Sequence, residues 1–536
     1  MRARTKPPSQ SLPGPNRWIL AFAALAAFLP GCATFRPEAP AGPTFALARP
    51  GPTRLGRAFA PGQERHPGES GFALLPYGLE ALVARAALAD TSDRTIDAEY
   101  YIYDHDEAGN FLTSRLLSAA DRGVRVRLLL DDFNFGSERE LMALCAHPLI
   151  QVRVFNPVAY RLRWARLLEY AIDFRRADRR MHDKLLIVDN EVAILGGRNI
   201  GDAYFNLHTK RAFRDFDVLA AGPVTAEASA SFDRFWNSGY SVPAPALVGR
   251  NPSADDLAWL RRRVQASGRR AAEFETNYAA TRAGYLRSLE HEGGALVWAA
   301  GEIVSDPPEK VEGATPQTNP VAGRLAEEWA RATKEILVEQ SYFVPGPPGA
   351  PGFRDLPRTA AAVRILTSGA DTTDVPIVYG AYRRSRQGLL ASGIELYEYR
   401  QQPARRQPGQ QWDQVQPPFA ALHSKVLVFD RRIAWIGSYN LDPRSARLNT
   451  EIALVVPSER LAGELAAAII DDLSPERSWR VRLTTDADRA RGARGPIVWV
   501  GAVNGRPVLI RHDPATTWRR IEVFFQALIP GLGDQL

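Results

Sequence analysis

Two kinds of apolar pattern recur along this chain: short, β-branched runs, and longer stretches with helical spacing. Ile96 to Tyr103 reads as a strand, Phe111 to Arg122 as a helix and Val124 to Leu130 as another strand. Val152 to Phe155 and Leu185 to Val188 then read as strands. From Ile336 the order returns, with strands at Ile336 to Val344 and Val363 to Leu366. A helix over Tyr379 to Leu390 follows, then strands at Ile394 to Tyr397 and Lys425 to Phe429. Strands alternating with helices predict an α/β fold of layered sheets covered by helices. The repeated order predicts a duplication.

At 536 residues the chain exceeds what one core organises, and 45% hydrophobic with 24% charged residues is a globular balance. Trp18 to Leu29 is almost wholly apolar but too short to span a bilayer, which takes about 20 residues. Arg2, Arg4, Lys6 and Arg17 precede it, no acidic residue occurs in 1–31, and Leu29-Pro30-Gly31-Cys32 follows. That arrangement resembles a bacterial lipoprotein signal with Cys32 as the lipidated residue, although Pro30 departs from the usual small or β-branched residue. Residues 33–68 carry seven prolines with little apolar periodicity and read as a tether. The expected organisation is therefore a signal peptide over 1–31 and a Pro/Gly-rich tether over 32–70. A first lobe over 71–245, a polar helical and linker segment over 246–325, and a second lobe over 326–536 with an amphipathic C-terminal segment complete it.

Charge changes the picture little. The formal balance is +7, and loss of the basic leader leaves about +3, too little to argue for nucleic acid. With Cys32 lipidated, Cys145 stands alone, so no internal disulfide is expected. Arg161 to Arg180 and the run from Trp518 to Leu528 have apolar residues at helical spacing. Each reads either as packing or as a face resting on lipid.

The chemistry lies in a doubled motif. His182-Asp183-Lys184, Asp189, then Gly196-Gly197-Arg198-Asn199 match His423-Ser424-Lys425, Asp430, then Gly437-Ser438-Tyr439-Asn440 at identical spacing. Of eight histidines, only these two sit in such a setting. Two positions apart on a strand, each His and Lys share a face. The Asp ends that strand, the glycines of the next one let backbone approach a ligand, and the Asn returns an amide toward the site. Asp189 and Asp430 are expected at structural turns. Asp215 and Glu451 follow the two motifs at comparable places and are assigned to orienting the histidines, with Asp217 competing for the first of these roles. No His/Cys cluster has metal-ligand spacing, so no metal or other cofactor is expected.

The paired His-x-Lys motifs resemble those of the phospholipase D superfamily over roughly residues 75–536. Within it, His182-Asp183-Lys184-Leu185, Gly196 to Asp202, Arg214-Asp215-Phe216-Asp217-Val218, Asp442-Pro443-Arg444-Ser445 and Pro514 to Trp518 resemble cardiolipin synthase C-type bacterial enzymes. The resemblance implies two α/β/α sandwich lobes related by a pseudo-twofold axis, with one active site at their interface. It implies that His182 attacks phosphorus and that His423 protonates the departing alkoxide and deprotonates the incoming hydroxyl. Lys184, Lys425, Asn199 and Asn440 then hold the non-bridging oxygens.

Three functions follow for comparison. The first is transfer of a phosphatidyl group, from phosphatidylglycerol or phosphatidylethanolamine, to phosphatidylglycerol, making cardiolipin. The second is hydrolysis, by a phospholipase or an exported nuclease. The third is a non-catalytic membrane-binding module, against which the two complete motifs argue. Expected surroundings are phospholipids and a membrane surface, without nucleic acid; an accessory protein stays open. The expected location is the bacterial envelope, lipid-anchored on the periplasmic side. Ala33 in place of an inner-membrane-retaining Asp favours the outer membrane.

Overall fold

The computed structural model describes residues 42–47, 52–132, 137–158, 178–207, 211–266, 296–345, 362–401 and 420–516. The leader, Cys32, most of Arg161 to Arg180 and the run from Trp518 lie outside the described residues.

Two mixed sheets carry the same central order. In the first, Asp217–Ala221, Val192–Gly196, Lys184–Val188, Thr95–Tyr100, Arg125–Asp131 and Ile150–Phe155 lie side by side. In the second the order is Ile452–Pro457, Ile433–Gly437, Lys425–Phe429, Glu335–Gln340, Ala362–Ser368 and Glu395–Tyr399. Parallel and antiparallel pairings match one for one across the two sets. This is the duplicated α/β fold that the repeated pattern predicts.

Alternation along the motif strands sets the layers. Leu185 and Ile187 of the first, and Val426 and Val428 of the second, join one core between the two sheets. That shared core also holds Phe232 and Trp236 of helix Val224–Trp236 and Leu465 and Ile469 of helix Glu459–Asp472. The opposite faces, Leu186 and Val188 or Leu427 and Phe429, pack beneath outer helices. These are Gly78–Thr91 and Glu107–Asp121 on one lobe and Pro320–Arg331 and Pro376–Ala391 on the other.

The expected tether and linker contain more structure than their polar composition suggested. Arg54–Arg65 is a helix; Thr53 accepts from the Gly56 amide at its start, and Leu55 and Phe59 are buried. Just before it, Thr44 accepts from the Trp236 indole at 2.8 Å, pinning an extended segment to the first lobe. In the polar middle, Ala254–Ala266 is helical, Val297–Ala299 adds to the first sheet and Glu302–Ser305 adds to the second. Two residues thus carry the chain between sheets.

Candidate active site

The two lobes exchange backbone pairing where the motifs begin. Ala212–Arg214 runs parallel to Ala420–Leu422, and Met181 bridges Thr450 in the same sense. The His182 amide donates to the Thr450 carbonyl at 3.0 Å, and the His423 amide to the Arg214 carbonyl at 2.8 Å. Each histidine therefore lies beside the residue that follows its partner strand in the other lobe. His182 Nδ1 lies 2.9 Å from Glu451 Oε2, and His423 Nδ1 lies 2.6 Å from Asp215 Oδ2. A carboxylate accepts, so each Nδ1 carries a proton and each Nε2 is left for the substrate; Lys425 Nζ also lies 3.5 Å from His423 Nε2. Both rings are almost buried, 6% and 5% exposed.

The competition between Asp215 and Asp217 is settled by geometry. Asp217 meets Arg85 at 2.9 Å and Arg198 at 3.4 Å, away from either histidine. Asp215 takes His423 on one oxygen and the Phe216 amide on the other at 2.8 Å.

The two carboxylates sit in different surroundings. Burial pushes Asp215 up, but the His423 hydrogen bond and the nearby charges of His423, Lys425 and Arg198 outweigh it and hold the group below its ordinary range. Burial pushes Glu451 up to about 7, against the charge of Lys184 and hydroxyl bonds from Ser438 and Ser445. Behind Glu451, its amide donates to Asp306, which Lys310 neutralises at 2.6 Å. Burial with the charges of Lys184 and Lys425 drives His182 well down, so its imidazole is neutral and nucleophilic.

The lysines converge. Lys184 Nζ donates to the His182 carbonyl at 2.5 Å, and Lys425 Nζ to the His423 carbonyl and to Ser341 Oγ at 3.4 Å. Burial lowers Lys184 to about 7, with the Lys425 charge adding to it. An anionic substrate between them favours the charged forms.

The glycines do something other than admit a ligand. A Cβ on Gly197 would lie 2.1 Å from Asp215 Oδ1, and one on Gly437 would lie 2.3 Å from the Ile452 carbonyl. Gly196 likewise faces Asp217 and the Phe216 carbonyl. The close approach is to the neighbouring strand that delivers each carboxylate. Ser438, which stands where Gly197 does, uses its hydroxyl on Glu451.

The asparagines are partly committed. Asn199 accepts from the Ile102 amide at 3.2 Å and donates to Tyr204 Oη at 2.9 Å; Asn440 accepts from Ser341 Oγ at 3.3 Å. Asp189 and Asp430 adopt positive φ of 55° and 52° in the tight hairpin turns after the motif strands. Asp189 accepts the amides of Asp93, Arg94 and Thr95, and Asp430 those of Thr333, Lys334 and Glu335. They tie each motif strand to its neighbour and stand away from the histidines.

Known proteins agree with this architecture. The family model "Cardiolipin synthase, PLD-like domain" matches residues 86–236 and 325–473, one segment per lobe and more than half of the chain. The chain belongs to this phospholipase D-like family. It is 37% identical over 487 residues to Cardiolipin synthase C of Escherichia coli strain K12, covering 89% of this chain and 98% of that one. An uncharacterized protein of Helicobacter pylori strain J99 is 31% identical, covering 87% and 89%. Cardiolipin synthase B of Salmonella typhi is 26% identical over 409 residues, covering 73% and 80%. As a phospholipase D-like enzyme, the chain has both signature motifs complete.

Sequence reasoning missed several groups here. Tyr101 packs edge-on to His182 with ring centroids 5.1 Å apart, and Phe213 and Tyr204 pack on His423 at 5.0 and 5.2 Å. Asp183 and Glu99 form a buried, mutually hydrogen-bonded carboxyl pair next to Lys184. Two carboxyls bond only when one keeps a proton. At the equivalent place in the second lobe, the Ser424 hydroxyl donates to Glu339 at 2.6 Å. The doubled register was the signal that would have found both pairs.

Proposed function

We propose that this chain makes cardiolipin, transferring a phosphatidyl group to the terminal hydroxyl of phosphatidylglycerol through a covalent intermediate on His182. The observation that carries the reading is the crossed pairing of His182 with Glu451 and of His423 with Asp215. It leaves two Nε2 atoms facing one phosphate site flanked by two lysines. His182 Nε2 attacks phosphorus and the P–O bond to the leaving alcohol breaks; His423, entering the step as an imidazolium opposite Asp215, gives its Nε2 proton to that alcohol. His423 then takes the proton of the incoming hydroxyl, whose oxygen displaces His182 from phosphorus. Acid–base help of this kind contributes about 10²–10⁴-fold. Transfer needs an alcohol to arrive before water does, and the near-burial of both rings supports a dry site.

The relatives named cardiolipin synthases support the product. The donor, phosphatidylglycerol or phosphatidylethanolamine, is part of the proposal, as is anchoring to the periplasmic side of the envelope through Cys32. Among the described residues no helix is long and apolar enough to cross a membrane.

The test is the lipid profile of a cardiolipin-free bacterial strain expressing the chain or its His182→Ala variant. Cardiolipin only with the intact histidine supports transfer. Phosphatidic acid in its place means hydrolysis by the same site and contradicts transfer, and the absence of both products contradicts the reading.

A further inference from the structure

The two half-sites differ on the His423 side. Tyr100 pairs with Lys184 and Gln340 with Lys425, so Ile102 and Tyr342, two positions further, hold equivalent places. Ile102 offers no polar side chain. Tyr342 stands edge-on to His423 with ring centroids 6.5 Å apart, and Lys425 Nζ lies 5.9 Å from the centre of its ring. Its hydroxyl donates toward both oxygens of Asp374, each at 2.9 Å. Asp374 is partly exposed, and His423, Lys425 and Tyr204 all feel its charge.

A carboxylate at this place opposes phosphate binding, because it repels the non-bridging oxygens that the two lysines attract. What it suits is a hydrogen-bond donor or a cation on the alcohol arm of the ester. In the reading above, His423 meets the oxygen of the leaving alcohol and afterwards that of the incoming one, so one subsite beside it serves both.

The geometry points to Asp374 as a headgroup-recognition residue: Tyr342 fixes its carboxylate beside His423, where it accepts from a glycerol hydroxyl or an ethanolamine ammonium. This rests on the phosphatidyl-transfer reading of the site and adds which alcohols the site selects.

The experiment measures consumption of three lipids in mixed micelles by the purified full chain. They are phosphatidylglycerol, phosphatidylethanolamine and phosphatidylpropanol, the last with no donor on its headgroup. The intact enzyme should favour at least one of the first two over phosphatidylpropanol by about tenfold or more in kcat/KM. Asp374→Ala should shrink that preference to about twofold, mainly through KM. Tyr342→Phe, which keeps the carboxylate but releases it, should fall between. Selective loss on phosphatidylethanolamine assigns the ammonium; selective loss on phosphatidylglycerol assigns the hydroxyl. An intact enzyme without preference, a preference that survives Asp374→Ala, or an equal loss on all three lipids overturns the inference. Because consumption is read whatever the product, release of phosphatidic acid contradicts transfer while leaving this comparison valid. Inactivity on all three lipids contradicts both.

Discussion

At the scale of single residues, the site is two equivalent sets of groups in unequal surroundings. Removing the charge of Asp215 or Glu451 without changing its shape separates orientation from bulk. Asp215→Asn and Glu451→Gln should each lower kcat by about 10²-fold or more with KM little changed, because the amide no longer enforces the tautomer that exposes Nε2. Steady-state kinetics check this, and a change confined to KM contradicts it. The Asp183–Glu99 pair yields a pH prediction. Burial raises both groups, so the stability they contribute is complete below their unfolded values near about 4 and is lost as pH rises toward the folded ones. Asp183→Ser, copying Ser424, should flatten the fall in Tm as pH rises above the unfolded values of about 4. An unchanged slope assigns the pH dependence elsewhere. The histidines, lysines and motif aspartates were legible in the sequence because their spacing repeats. Which carboxylate meets which histidine was not, because that follows from how the lobes dock. Tyr342 and Asp374 lie outside the repeated motif and gave no signal at all.

At the scale of elements, the strands with a strong apolar period were readable almost to the residue, as at Lys425–Phe429. The strand expected over Ile336 to Val344 ends at Gln340, since Ser341 and Tyr342 turn toward the site. Two outer strands escaped notice: Ser70–Leu75, second from the edge of its sheet, opens on Ser-Gly, and Arg506–Ile510, at the edge of the other, is half exposed. Neither shows the alternation of a half-buried strand. The turn aspartates make a stability prediction. Asp189 is fully buried and accepts three amides, so Asp189→Ala strands those donors and should cost about 1–3 kcal/mol. Denaturant unfolding checks the cost, and activity per folded molecule should persist. At Gly197 the expectation reverses: Gly197→Ala should keep the fold and lose most activity, because the new methyl displaces Asp215.

At the scale of the whole molecule, duplication places both motifs in one chain, and the inter-lobe strand pairing closes a single site. An equimolar mixture of His182→Ala and His423→Ala proteins should therefore stay inactive. Recovered activity in the mixture contradicts a site built within one chain. The duplicated α/β layout was legible because the motif spacing and the strand order repeat together. The helix in the tether and the two short strands of the linker were not, since their residues are held by contacts with distant parts of the lobes, as Thr44 is by Trp236.

The most direct measurement is to quench the enzyme during turnover of a phospholipid labelled in its phosphatidyl group and to locate the label by peptide mass spectrometry. The account predicts an acid-labile phosphatidyl adduct on His182, absent in His182→Ala. Label on His423 instead, or turnover with no adduct on either histidine, contradicts it.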